Sequence, residues 1–178
     1  MIIILLADGF EEIEALTPLD MLRRAGLDAK TVGINGKIVT GSHSIPVITD
    51  LSPDEVDLSA VSAVILPGGM PGALNLDSSP FVDRAVRTVY EKGGILAAIC
   101  AAPLVLGRRG ILNRKEATCY PGFEKELVGA TVSDKAAVTD GNIITARGMG
   151  AALAFSKELL KKFVGEERCK SLAESIME

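Results

Sequence analysis

The sequence predicts an α/β fold: a doubly wound, mostly parallel sheet with helices on both faces. Three observations carry this. The runs Ile2–Ala7, Val61–Leu66 and Gly94–Ile99 are almost wholly apolar instead of alternating, as strands covered on both faces must be. Segments of helical character lie between the strands, which is the mark of parallel crossover units. No internal repeat, low-complexity tract or linker breaks the 178 residues. One domain over residues 1–178, of flavodoxin-like type, is therefore expected.

Each element has its own reason. Ile2–Ala7 is a β-branched strand closed by Asp8-Gly9. Glu11–Ala25 is a helix with acids in its first turn and Arg23 and Arg24 in its last, as the helix dipole prefers. Gly26 closes it, and Pro18 is expected to kink it. Ala29–Ile34 is a strand. Lys37–Thr49 reads as two short strands around Gly41, and Ser52–Ala60 as a polar loop. Val61–Leu66 is a strand ended by Pro67-Gly68-Gly69. Pro80–Lys92 is a helix, Gly94–Ile99 a strand, and Ala101–Arg109 a helix with Pro103 in its first turn. Ala117–Tyr120, Thr131–Ser133 and Asn142–Ala146 read as further strands. Ala151–Phe163 and Glu166–Ile176 read as C-terminal helices.

Composition narrows the function. At 48% hydrophobic and 24% charged residues, the chain reads as globular. With five Phe, two Tyr and no Trp, its core must be built from Ile, Val, Leu and Ala. A net charge of −4 without a long basic run argues against nucleic acid or an anionic membrane as partner. The start, MIIILLADGF, has no basic flank and meets Asp8 early, so neither a signal peptide nor a membrane span is expected, and the location expected is cytoplasmic. Cys100, Cys119 and Cys169 are widely spaced and form no CxxC pair, which points away from a zinc knuckle or a disulfide framework. The single histidine, His43, cannot build a histidine-rich metal centre. No metal or organic cofactor is expected.

In such folds ligands bind beyond the carboxyl ends of the strands. Three features fall there: Asp8-Gly9 followed by Glu11, Glu12 and Glu14; Pro67-Gly68-Gly69; and Cys100. Cys100 stands where a strand turns into a helix, the layout of a nucleophile elbow, and Ala98, Ala101 and Ala102 permit the tight approach. A strained backbone is expected there, as is a thiol pKa lowered by the helix N-terminus. The same thiol could instead be one of the many cysteines that merely pack. Glu11 and Glu12 read as dipole partners on a solvated face; spacing does not decide which of the three acids turns inward. An inward carboxyl beside a thiolate would be pushed toward its protonated form and could serve as acid or base. Gly68 and Gly69 could present N–H groups to an oxyanion, or simply make a tight turn. Arg24, on physics alone, is a helix-end dipole partner, and Cys119 and Cys169 read as structural.

At these residues the chain resembles the ThiJ/PfpI family, in its deglycase branch. The matching stretches are Ala7-Asp-Gly-Phe-Glu-Glu-Ile-Glu14, Asp20-Met-Leu-Arg-Arg-Ala-Gly26, Leu66-Pro-Gly-Gly69 with Gly72 and Asn75-Leu76, Ala97-Ala-Ile-Cys-Ala101 with Pro103, and Thr145-Ala-Arg-Gly148. The resemblance implies that Cys100 is a reactive, easily oxidised cysteine and Glu14 a protonated glutamate bonded to its thiolate. It implies Gly69 and Ala101 amides facing the substrate oxygen, Arg24 near the site, and a homodimer. Two positions depart from the pattern. Ala101 stands where the protease-like branch has His, which speaks against peptidase activity. Tyr120 stands where the deglycase branch often has His, and tyrosine can donate a hydrogen bond but is no neutral-pH base. The activity implied is cofactor-independent chemistry on dicarbonyls such as methylglyoxal or on their early adducts, through a Cys100 hemithioacetal with Glu14 as proton shuttle. The alternative is an oxidative-stress sensor or chaperone working through Cys100 oxidation. A phosphoacceptor receiver is excluded, because Leu66-Pro67-Gly68 offers no aspartate.

Overall fold

In the computed structural model, which describes residues 1–178, strand β1 (Ile2–Leu6) divides its side chains between two cores. Ile3 and Leu5 join a cluster with Leu66, Leu76, Val82, Leu104 and Val105. Ile2, Ile4 and Leu6 join another with Phe10, Leu22, Phe155, Leu159 and Leu160. This is the period-two pleat of a strand covered on both faces.

The chain continues through α1 (Glu12–Arg24), β2 (Ala29–Gly33), β3 (Ile38–Thr40), β4 (Pro46–Ile48), β5 (Ala63–Leu66), α2 (Gly72–Ser78), α3 (Pro80–Glu91) and β6 (Ile95–Ile99). It ends with α4 (Pro103–Arg108), β7 (Glu116–Ala117), β8 (Thr131–Val132), β9 (Ala137–Asp140), β10 (Ile143–Ala146) and α5 (Ala152–Ser175). The main sheet has the order β2-β1-β5-β6-β10-β9. All its pairs are parallel except β10 with β9, an antiparallel edge. Helices α1 and α5 cover one face; α2, α3 and α4 supply the core of the other. The expected doubly wound, mostly parallel architecture is the one observed. Strand order reverses between β1 and β5, and a crevice for ligands opens beyond the strand ends at such a point.

Local chemistry explains most boundaries. Gly26 ends α1 with φ 81; its N–H donates to the Arg23 carbonyl and that of Leu27 to the Leu22 carbonyl, a Schellman closure. Pro18 lies inside α1, which runs through it as one helix. Gly165, with φ 81, breaks α5 into the two helices expected from the sequence. The β3–β4 hairpin forms apart from the main sheet. Three expectations need correction. The helix after Cys100 starts at Pro103, not Ala101, because Ala101 and Ala102 are spent on the turn. The strand expected over Ala117–Tyr120 shrinks to Glu116–Ala117. Helix α2 and strand β9 were not expected: α2 is a short, glycine-led segment, and β9 buries only Val138, which leaves little apolar pattern to detect. No helix is long and apolar enough to cross a membrane.

Candidate active site

Strand β6 delivers Cys100 to the end of the sheet. Cys100 has φ 64, a left-handed conformation that costs a non-glycine residue about 1–3 kcal/mol. Two backbone bonds hold it there: its N–H donates to the Ala146 carbonyl at 2.9 Å, and its carbonyl accepts from the Tyr120 N–H at 2.8 Å. Ala98, Ala101 and Ala102 are fully buried around it. The side chain itself is half-buried and packs against both cores. The strained elbow expected from the sequence is present.

Helix α1 brings Glu14 to the same place. Its side chain is fully buried, and its Oε2 accepts the Gly68 N–H at 2.9 Å. Its Oε1 has no nitrogen or oxygen partner. Cys100 adjoins the carboxyl closely enough for each to shift the other's titration, but no hydrogen bond of ordinary geometry joins them. Gly68 packs between the two. A Cβ on Gly68 would lie 2.6 Å from Cys100 Cβ and 2.7 Å from Glu14 Oε2, so only glycine fits. The Gly68 carbonyl accepts the Glu11 N–H at 3.0 Å, which stitches this loop to the start of α1.

Burial sets the electrostatics. It pushes the Glu14 carboxyl up to about 7, against the pull of Cys100 and the Gly68 amide. It also pushes the Cys100 thiol up to about 12, helped by the adjacent Glu14 charge and opposed by the amides of Gly69 and Ala101. The lowered thiol pKa expected from the sequence is therefore not found. The reason is physical: α4 begins three residues later, so its dipole is distant, while burial and a like charge act directly.

The other anticipated residues divide. Gly69 and Ala101 do turn their amides toward the Cys100 sulfur. Gly68 does not offer a free amide, since its N–H is committed to Glu14. Tyr120 borders the site with a half-exposed ring. Arg24 is not brought there. It lies ten residues beyond Glu14, about 15 Å along the helix, and is exposed and paired with Asp20. Glu12 corrects the expected solvated face. It is 5% exposed, accepting the His43 N–H at 2.9 Å and lying 3.0 Å from His43 Nδ1. Glu11, Glu12 and His43 are the one group whose donor atoms, within 4.8 Å of one another, could hold a metal ion; the bonds of His43 to Glu12, and of Ser42 Oγ to both carboxylates, already account for that convergence.

Gly148 borders Cys100 as well, and the residues alone gave no role for it or for Arg147 before it. With Tyr120, Pro121, Met149 and Ala151 they line an open cleft of about 610 Å³. Their signal in the sequence was the stretch Thr145-Ala-Arg-Gly148, which runs off the end of a buried strand.

Fold and site together define a class: flavodoxin-like α/β proteins that present a cysteine on a strained elbow against a buried glutamate. Residues 1–162 match the DJ-1/PfpI family, and the chain belongs to it. Protein dj-1beta of Drosophila melanogaster is 36% identical over 98% of this chain and 95% of its own length. Deglycase PfpI of Pyrococcus furiosus is 30% identical over 90% of this chain and 97% of its own. Among solved structures, a mutant of a DJ-1 superfamily protein from Salmonella typhimurium superposes with a TM-score of 0.93, at 33% identity, covering 99% of this chain and 97% of that one. Oxidised DJ-1 from Toxoplasma gondii superposes with a TM-score of 0.94, at 29% identity, over 99% of this chain and 97% of that one.

Proposed function

We propose that this protein is a cysteine-dependent enzyme acting on reactive dicarbonyls such as methylglyoxal, or on their early adducts. The observation that carries the reading is the buried Glu14 carboxyl packed beside Cys100, with one oxygen tied to Gly68 and the other without a nitrogen or oxygen partner. Relatives named as deglycases support the same class.

A carboxyl that titrates near 7 can both take and return a proton at neutral pH. Ionised Glu14 takes the Cys100 thiol proton as sulfur bonds to the aldehyde carbon, and the carbonyl π pair moves onto oxygen. The Gly69 and Ala101 amides, which already face the sulfur, stabilise that oxyanion until Glu14 protonates it. With methylglyoxal the resulting hemithioacetal loses its C1 proton to Glu14 and regains one at C2, while its hydroxyl proton passes from O1 to O2, leaving a carbonyl at C1 and a hydroxyl at C2. The lactoyl thioester so formed is hydrolysed by water to lactate and free thiol. No metal or organic cofactor enters these steps. Cys100→Ser is expected to abolish methylglyoxal consumption by the pure protein; retained turnover would sink the proposal.

The second reading, an oxidation sensor, draws support from Cys100 being the one cysteine that is not buried. A homodimer is part of the proposal too. Ile13, Leu16 and Leu153 are exposed apolar side chains on α1 and at the start of α5, and Leu16 and Leu153 line one shared hollow. Sedimentation of wild type and Leu16→Asp should separate dimer from monomer.

A further inference from the structure

Cys100 does not stand in a closed pocket. Its backbone is bonded to Ala146 on one side and Tyr120 on the other. The residues that follow those two, Arg147-Gly148 and Pro121, line an open cleft of about 610 Å³. Gly148 is the seam between thiol and cleft. A Cβ there would lie 3.9 Å from Cys100 Sγ and 3.2 Å from Tyr120 Cδ2. The φ of Gly148 is 161, extended backbone that any residue adopts. What glycine supplies at this position is therefore room.

The cleft is too large for a three-carbon dicarbonyl alone, since sites of roughly 300–1,000 Å³ take drug-sized ligands. Its lining combines an aromatic ring, a proline and the Met149 thioether with one cation. The Arg147 guanidinium is exposed, and its one hydrogen bond goes from Nη1 to the Asp134 carbonyl at 3.2 Å. It has no carboxylate partner and keeps the rest of its fork for a ligand. The Asp134 side chain, on the same rim, would repel a bare anion but can accept from an amide N–H. A carboxylate beside an amide N–H on a short apolar stem satisfies both groups.

We propose that this cleft is a carrier subsite. It binds the part of a dicarbonyl adduct that bears an acylated amino-acid end, and Arg147 is the specificity-determining residue for its carboxylate. The proposal rests on Cys100 being the reacting thiol. The cleft's place beside Cys100 lets the adduct lie over Gly148, with its carbonyl at the sulfur and its carrier on Tyr120 and Met149.

The test compares two hemithioacetals of methylglyoxal, one with N-acetylcysteine and one with N-acetylcysteine amide. Wild type should prefer the acid by about tenfold in kcat/KM, the scale of one charge-assisted bond in a half-open site. Arg147→Gln should bring the ratio to about one, and Arg147→Lys should restore part of it. Arg168→Gln, on α5 outside the cleft, should keep the wild-type ratio. A ratio unchanged by Arg147→Gln overturns the proposal. Calorimetric titration with the stable thioether S-(2-oxopropyl)-N-acetylcysteine gives a reading independent of turnover. Binding about tenfold weaker in Arg147→Gln supports the subsite, and equal binding overturns it. Absence of turnover in wild type with that binding difference intact would count against the Cys100 chemistry and not against the cleft.

Discussion

The Gly68 amide donates to Glu14 Oε2 at 2.9 Å, and the other oxygen of that carboxyl has no nitrogen or oxygen partner. One bond thus fixes the carboxyl and leaves its second oxygen for Cys100 or what Cys100 carries. The arrangement is costly in a way that can be measured. A buried polar atom without a partner loses about 1–3 kcal/mol, and the ionised form loses more.

The first prediction concerns stability against pH. The folded Glu14 pKa is about 7 against an ordinary 4.5, so the folded state holds this proton more tightly than the unfolded one. The stability contribution is fully present below about 4.5 and is lost as pH rises to about 7. Glu14→Gln removes that loss, and its amide oxygen can still accept the Gly68 N–H. Above pH 7 the variant should gain on wild type by up to roughly 3 kcal/mol, since each pH unit between the two values is worth about 1.4 kcal/mol. Melting temperatures of both proteins from pH 4 to 8 check this, and parallel curves would contradict it.

The second prediction concerns the wedge between the two side chains. Gly68→Ala puts a methyl group 2.6 Å from Cys100 Cβ and 2.7 Å from Glu14 Oε2, with the Ile99 carbonyl at 2.9 Å. Neither the strained Cys100 backbone nor the buried α1 can yield freely. A loss of about 1–3 kcal/mol in denaturant unfolding is expected, together with slower dicarbonyl turnover. Wild-type stability would show that the loop shifts without strain.

How much of this was legible follows from what each feature depends on. The sheet was readable because β1, β5 and β6 are buried on both faces and carry the apolar runs that burial demands. Strand β9 was not, because an edge strand with one buried side chain has no period to detect. Cys100 was visible as a strand-to-helix junction among alanines. Its titration was not, because that depends on Glu14 packing beside it from 86 positions away in the chain. Glu12 was misjudged for the same reason: the hairpin that buries it is a tertiary contact. Arg24 looked like a site residue only through the resemblance, and helix geometry carries it away.

A third prediction separates the three thiols. Burial raises the pKa of all three, so exposure is what separates them: Cys119 is 5% and Cys169 3% exposed. Cys100 alone is reachable from solvent. Mild peroxide followed by peptide mass spectrometry should find sulfenic and sulfinic acid at Cys100 first. Earlier modification of Cys119 would argue against both readings of the site.

The last prediction asks where the site's negative charge rests. Ionised Glu14 is the second largest cause, after burial, of the raised Cys100 pKa. Glu14→Gln removes that charge and leaves the Gly69 and Ala101 amides aimed at the sulfur. The thiolate fraction at pH 8 should then rise, and alkylation of Cys100 by iodoacetamide should quicken by about tenfold for each pH unit by which the pKa falls. Dicarbonyl turnover should move the opposite way, dropping by roughly 10²–10⁴, because glutamine can neither take the thiol proton nor carry one from C1 to C2. A thiol more reactive toward a simple alkylator yet useless in turnover would identify Glu14 as the proton carrier. Slower alkylation in Glu14→Gln would mean the reverse arrangement, a protonated Glu14 donating to a resident thiolate, with the charge on sulfur before substrate arrives.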